Sequence, residues 1–378
     1  MMKTDKVIFT IMIVLVLFGI TAVLSSSAYL ALRSSQYNSE FHFLRRHIER
    51  VVIGWFAFMF ALRFDYRKWQ RFSRPFLLIS LMLMALTLIS EPVRNTRRYL
   101  ALGPFSFQPA EIARFSVVLY LADYMVRKGK SLKKLKKGFM GAITPVLVFC
   151  LILILQPNFG TLVLLAVTAL LVMWIGGAKH SHIFVTVALL LMLFFAGVGS
   201  NPYAETRFRQ FLDAEGSYQT RQARITVGAG QIFGSGLGKQ KFLFLPWPHT
   251  DFIFATVAEE TGFIVSSGIM ILFLIMLVRS VKVSRQSPCR FGYFLGLGLT
   301  SSMFLQAMFH IGVNLGVLPT TGLPLPFISY GGTALVMNMF AIGIILNIAK
   351  RGKDESRDSL RRNRRTHYTW SFDRGRAG

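Results

Sequence analysis

Cysteine is nearly absent: Cys150 and Cys289 are the only two in 378 residues. Two thiols, one in an apolar run and one in a basic stretch, supply no disulfide framework of the kind small secreted folds rely on. Acidic residues are also few, 17 Asp and Glu against 43 Lys and Arg, so a lone carboxylate beside an apolar run needs explaining. No internal repeat is evident. There is also no matched pair of interrupted apolar helices, the pattern that marks many transporters.

Apolar residues are abundant, at 53% of the chain, too many for an ordinary soluble domain. Runs near the roughly 20 residues that span hydrocarbon recur near 7–28, 48–62, 75–90, 110–126, 139–156, 159–177, 181–199, 253–278, 291–317 and 327–349. The expected fold is all-α: a polytopic membrane bundle of about ten transmembrane helices. The first run is read as a retained span, because removing it as a signal peptide would invert the loop charges downstream.

A net charge of +26 invites a nucleic-acid reading, but its distribution excludes one. Basic residues crowd into alternate loops, at 63–74, 127–137 and 279–290, and into the tail at 350–376. That is the positive-inside pattern, which predicts cytoplasmic termini and outward segments at 29–47, 91–109, 200–252 and 318–326. Residues 1–350 then form the membrane domain. Residues 351–378 form a basic cytoplasmic tail, held on anionic lipid or disordered.

The outward segments carry the chemistry. Residues 200–252 form a loop of the length that is usually functional or disordered, with Arg207, Arg209, Lys239, Lys241 and the glycine run Gly228–Gly238. The glycines fit either a backbone nest for an anion or, better on local grounds, a re-entrant turn. Arg94, Arg97 and Arg98 lie outward against the charge rule and lead into Tyr99, Gln108, Glu111 and Arg114. Glu111 and Arg114 share a helix face at three-residue spacing and can pair with each other or line a polar cavity. Glu259 and Glu260 inside a span read as hydrogen-bonding partners for a neighbouring helix. Gln306, His310 and Asn314 recur every four residues as helix–helix glue, since no second His or carboxylate stands at ligand spacing.

Asp251, in Leu245-Pro-Trp-Pro-His-Thr-Asp-Phe-Ile-Phe254, stands where an apolar run begins. One reading makes Thr250 or Asp251 a helix N-cap. The other makes Asp251 a general base, delivered with His249 and Thr250 by a proline-stiffened turn. The segment 318–332, with Ser329 near its end, holds three prolines and cannot be regular helix. It is expected to dip into the membrane beside a cavity.

These motifs, over roughly residues 7–350, resemble the SEDS family (shape, elongation, division and sporulation proteins). The likeness rests on Phe107-Gln-Pro-Ala-Glu111, Gln156-Pro-Asn-Phe-Gly160, Gly234-Ser-Gly-Leu-Gly238, His249-Thr-Asp-Phe-Ile-Phe254, Ala258-Glu-Glu-Thr-Gly262 and the segment from Pro319 to Gly332. The resemblance implies a peptidoglycan glycosyltransferase of the bacterial cytoplasmic membrane, polymerising lipid II carried on undecaprenyl diphosphate. It implies a class B penicillin-binding protein as partner, and Phe327-Ile-Ser-Tyr-Gly-Gly332 leans toward the division-type branch at the septum. The family's catalytic aspartate falls on Asp251. Arg97, Arg98, Tyr99, Gln108, Glu111, Arg114, Arg207, Arg209, His249, Thr250 and Ser329 are the substrate-binding candidates, with no protein metal site and an optional divalent cation, Mg or Mn. Tyr99 stands where Trp is usual, Asn158 where Asp is usual and His310 where Asn is usual. Thr321 stands where many division-type members have Lys, and Leu243 where some members carry Glu. The rival readings are a lipid II flippase and a non-catalytic scaffold. Gly292, Gly296 and Gly298, small residues that permit close helix approach, are expected to meet the partner.

Overall fold

The computed structural model describes residues 5–33, 41–91, 97–102, 105–213, 217–238, 245 and 247–373. Arg94, Lys239, Lys241, Leu243 and Pro246 lie outside the described residues.

Apolar runs give long helices, two of them with an internal proline, Pro75 in α3 and Pro145 in α5: α1 Lys6–Arg33, α2 His42–Arg63, α3 Trp69–Ile89, α4 Pro109–Lys128, α5 Met140–Leu155, α6 Phe159–Ile175 and α7 His180–Gly199. After two short helices, α8 Pro202–Leu212 and α9 Tyr218–Ala229, come α10 Ile253–Arg285, α11 Arg290–Asn314 and α12 Gly332–Asp373. Among the described residues, seven helices are long and apolar enough to cross a membrane. α6 is apolar but only 17 residues long, and α2 and α4 carry charge along their length. These ten helices fall on the ten predicted runs. The chain is an integral membrane protein, nearly all helical.

Helix α4 organises the packing. Its Val118, Leu119 and Ala122 join a core with α1, α2, α10, α11 and α12. Its Ala113, Val117 and Leu121 join a second core with α3, α5, α6 and α7. A helix buried on opposite faces, with its charged Glu111, Arg114 and Asp123 buried too, belongs in the middle of a bundle. Rings and branched chains on the rim, such as Phe184 and Met192 of α7 and Phe263 of α10, are exposed, as lipid-facing residues must be.

The segment 200–252, expected to face outward, is not simply a loop, because α8 and α9 occupy much of it. Ser217 caps α9, its Oγ accepting from the Thr220 N–H at 3.1 Å. A two-stranded antiparallel hairpin, β1 Leu100–Leu102 and β2 Phe105–Phe107, pairs Leu100 with Phe107. Sequence periodicity did not reveal it, since three-residue strands are too short to show alternation. α12 continues as helix to Asp373, past residue 351 where the basic tail begins. No glycine or proline falls between 353 and 373 to stop it.

Candidate active site

The turn before α10 is built by Trp247, whose φ of 53° lies in the left-handed region. Its carbonyl accepts from the N–H groups of Thr250 at 3.2 Å and Asp251 at 3.3 Å. α10 then starts at Ile253 with Phe252 as its N-cap and no side-chain cap. The capping reading of Thr250 and Asp251 is therefore wrong, because the helix is capped from elsewhere. Asn314, the last residue of α11, accepts the Ala255 N–H on Oδ1 at 2.9 Å. Its Nδ2 donates to the Asp251 carbonyl at 3.1 Å and to the His310 carbonyl at 2.8 Å. One amide thus gives the Ala255 N–H, which also reaches the Phe252 carbonyl at 3.1 Å, a second acceptor at the helix start and fixes the Asp251 backbone.

Relieved of capping, the half-buried Asp251 side chain opens into a cavity of about 250 Å³. Arg50, Arg98, Tyr99, Gln108, Thr250 and Thr333 share its lining, and Asp251 is the only carboxylate among the lining residues. Burial pushes the Asp251 carboxyl above the usual range. The positive charges of Arg207 and Arg98, and a hydrogen bond from Thr250, pull the other way. A carboxylate so placed is more basic than one in water and still ionisable.

Two segments hold this cavity in shape. Gln306 Nε2 donates to the Pro324 carbonyl at 2.8 Å, and His310 Nδ1 lies 2.7 Å from the Leu323 carbonyl. With Asn314, the α11 stripe therefore binds loop backbone and the Asp251 turn as well as the neighbouring helices, through Ala255 of α10 and Asn338 of α12. Two of the stripe's acceptors, the Leu323 and Pro324 carbonyls, lie on the 318–332 segment, which is non-helical up to Gly332 and lines the cavity through Gly322, Pro324 and Tyr330. A Cβ built on Gly322, whose φ is 69°, would stand 3.9 Å from Asp251 Oδ2. Ser329 Oγ donates to the Thr250 carbonyl at 2.9 Å and accepts the Leu325 N–H at 2.7 Å. Ser329 is thus a buried tie between loop and turn and does not line the cavity. His249 is buried too, its ring 4.6 Å from Phe43 and 5.5 Å from Tyr330.

The remaining predicted residues divide. Arg98 is held by the carbonyls of Gln156 and Pro157 at the α5–α6 break while lining the cavity. Arg97 turns away, donating to the Leu88 carbonyl at 3.1 Å at the end of α3. Arg209 pairs with Glu205 at 2.6 Å on the exposed side of α8. Neither Arg97 nor Arg209 lines a cavity described here. Glu111 and Arg114 form the buried mutual ion pair, at 2.9 Å. Arg114 also reaches Asn338 Oδ1 at 3.5 Å, and Asn338 Nδ2 contacts Gln306 Oε1 at 3.3 Å. That pair supports the cavity wall from behind. Arg207 faces a neighbouring groove of about 190 Å³ walled by Phe159, Phe194, Phe208 and Phe309, with Arg98 and Thr321 also in its lining.

The glycine run is a turn docked on α10, whose groups meet its amides. Its amides are consumed by α10: Ser235 N–H donates to the Glu259 carbonyl at 2.9 Å and Gly236 N–H to the Glu260 carbonyl at 3.0 Å. Glu260 Oε1 accepts from Gly238 N–H at 3.3 Å and from Ser25 Oγ of α1, the neighbour-helix role expected of it. α10 is broken there at Gly262, φ 75° and ψ −174°, where a side chain would meet Gly234 and Ile232 backbone. The glycines of α11 are internal as well. A Cβ on Gly296 would strike Ser284 of α10, and one on Gly298 would sit 2.6 Å from Val118 of α4. The expected partner face there is corrected: those glycines seat neighbouring helices.

Sequence reading missed Arg50, Ser106 and Thr333. Arg50 sits 4.4 Å from the Tyr330 ring centroid; its signal was a guanidinium inside a short apolar run. Ser106 belongs to the unforeseen hairpin. Thr333 Oγ1 accepts the Gln108 N–H at 2.9 Å, a tie between residues 225 apart that no local pattern reveals.

Fold and site together define a helical integral membrane protein with one basic-flanked carboxylate at the end of its bundle. The chain belongs to the FtsW/RodA/SpoVE family, whose model, described as a cell cycle protein, matches residues 5–354. It is 34% identical to stage V sporulation protein E of Bacillus subtilis over 359 residues, covering 92% of this chain and 98% of that protein. It is 33% identical to a probable peptidoglycan glycosyltransferase FtsW of Geobacter metallireducens, covering 93% and 96%. Among solved structures, a chain of a peptidoglycan synthase complex that coordinates polymerization and crosslinking matches with TM-score 0.74 at 24% identity, covering 92% of this chain and 98% of that one. The rod shape determining protein RodA of Thermus thermophilus matches with TM-score 0.67 at 24% identity, covering 92% and 97%.

Proposed function

We propose that this chain is a peptidoglycan glycosyltransferase that polymerises lipid II at the outer face of the bacterial cytoplasmic membrane, with Asp251 as general base. The observation that carries this reading is the Asp251 carboxylate, released from capping by Asn314 and facing a cavity lined otherwise by arginines and neutral groups. The name of the relative at 33% identity, a probable peptidoglycan glycosyltransferase, points to the same chemistry.

The sugar 4-hydroxyl of one lipid-linked disaccharide attacks the anomeric carbon of another, and undecaprenyl diphosphate leaves. Asp251 accepts the hydroxyl proton as the bond forms, an effect typically worth about 10²–10⁴-fold. Inversion at the anomeric carbon needs one base and no covalent sugar intermediate. Negative charge grows on the departing diphosphate, and preorganised positive charge lowers that barrier. Arg98 and Arg207 stand near enough to act on Asp251 electrostatically and are assigned that role. The groove they share, walled by four phenylalanines, suits the isoprenoid tail. A divalent cation, Mg or Mn, would find one protein carboxylate here. It would take its other oxygens from diphosphate and water, the way Mg is usually held at phosphates.

The same proposal gives the chain ten spans with both termini cytoplasmic, residues 200–252 outside, and a class B penicillin-binding protein as partner at the division septum. A membrane-impermeant thiol reagent on intact cells should label a cysteine placed at Ser217 and leave native Cys289 unlabelled. The opposite labelling would put Asp251 on the wrong side of the membrane. The decisive assay is polymerisation of labelled lipid II by the purified protein with its partner, and long glycan strands are expected. Movement of lipid II across vesicle membranes without polymer would favour the flippase instead. Polymer made only by other proteins it recruits would favour the scaffold.

A further inference from the structure

A polymerase joining two lipid-linked sugars handles two diphosphates, yet Arg98 and Arg207 attend one. A cavity of about 720 Å³ lies between α2, the β1–β2 hairpin and the start of α12. It adjoins the Asp251 cavity, with which it shares Arg50, Ser106, Gly332 and Thr333. The Phe208 groove touches the Asp251 cavity through Arg98 instead. Asp251 therefore sits at the junction of two separate recesses.

The α2 recess has the chemistry of an anion site beside lipid. Arg45, Arg46 and Arg50 all line it, with Glu49 the single acid. Residues 45 and 49, and 46 and 50, are each one helical step of four apart, which sets them along one face. Arg45 lies 3.5 Å from Glu49, which leaves an excess of two positive charges. Phe41, Ile53 and Val336 supply an apolar wall. Charges on a helix entering a bilayer are costly and generally mark function.

Chemistry decides which substrate each recess takes. The leaving diphosphate is attached to the attacked carbon, so it must lie close to Asp251, where Arg98 and Arg207 act. The acceptor presents its far sugar hydroxyl to Asp251, and its own diphosphate lies a disaccharide further away. We propose that the α2 recess is the acceptor site, with Arg45 and Arg46 holding the acceptor's diphosphate and Arg50 marking the passage to Asp251. This rests on the glycosyltransferase reading above.

The test uses the full-length Asp251→Asn protein, which holds substrate without turning it over, and counts bound lipid II by native mass spectrometry. Two copies per protein are expected, and one copy once Arg45→Gln and Arg46→Gln are added. Both arginines are exposed, so helical content and melting temperature should not change. In the otherwise unaltered enzyme, the same pair should raise the lipid II concentration for half-maximal rate about tenfold, as for loss of about 1.4 kcal/mol of binding. Excess phosphatidylglycerol should not displace the second copy. If it does so at equal concentration, the recess is a general phospholipid site and the proposal fails. It fails too if Asp251→Asn binds one copy, or if two copies survive the arginine changes. Two-copy binding by a protein that never polymerises would sink the glycosyltransferase reading and leave the site standing.

Discussion

The two ends of the first half of α10 carry similar residues and do opposite things. At the start, Asp251 follows a proline-flanked turn; two helical turns on, Glu260 faces a glycine turn. From sequence, Glu260 read as a hydrogen-bonding partner for a neighbouring helix, and Asp251 as either a helix cap or a general base. Glu260 is taken up by its surroundings, accepting from Ser25 of α1 and from Gly238. Asp251 does not cap α10, where Asn314 of α11 supplies a side-chain acceptor to the first turn. An acid's availability for chemistry is set by who else satisfies the donors around it, and that is a tertiary property.

The comparison can be broken first at Asn314. Asn314→Leu removes the amide that donates to the Asp251 carbonyl and leaves the Ala255 N–H with the Phe252 carbonyl alone, and a buried group left unsatisfied costs about 1–3 kcal/mol. We expect polymerisation to fall by about tenfold or more while the protein still inserts, as measured by initial rate per folded molecule. Asn314→Asp, which keeps the acceptor and loses the donor, should recover part of that loss. Equal activity in Asn314→Leu would mean that Asp251 does not depend on this cap.

A smaller effect is expected at the other end. Glu260→Gln keeps an acceptor for Gly238 and Ser25 but removes the charge, and should lower stability by about 1 kcal/mol with activity within about threefold. Thermal melting of the purified protein alongside its rate checks this. A loss as deep as that of an Asp251 change would make Glu260 part of the chemistry.

A pH profile sharpens the contrast further. A general base works when deprotonated, so the rate should fall as pH drops through the Asp251 pKa. Burial raises that pKa above the ordinary carboxylate range, and Arg207 holds it down. Arg207→Gln should therefore move the acid limb of the rate profile to higher pH. An unmoved limb would remove Arg207 from the electrostatics of the site. The smallest effect belongs to Arg209, which pairs with Glu205 at the surface. Surface pairs are worth about 0–1 kcal/mol, so Arg209→Ala should leave rate and melting nearly unchanged.

Much of the bundle was legible because apolar length and loop charge are local properties, and the ten predicted runs coincide with the ten long helices. The Glu111–Arg114 pair and the non-helical 318–332 segment were legible from spacing and proline content, which are local too. What was not legible depends on contacts between distant residues. Arg97 and Arg98 are neighbours in sequence, yet one turns to the end of α3 and the other to the Asp251 cavity. The glycines of α11 read as a docking face, but which helix they admit is decided by the fold, and it is α10, α4 and α12. Arg50 and Thr333 enter the site only because α2 and α12 pack together.

The central claim is that the Asp251 carboxylate takes the proton from the attacking hydroxyl. Asp251→Asn keeps the size of the side chain and removes the base, so the direct measurement is its rate of labelled lipid II polymerisation with the partner present. A fall of about a hundredfold or more, with lipid II binding and membrane insertion intact, is the predicted result; near-normal rate and strand length would contradict it.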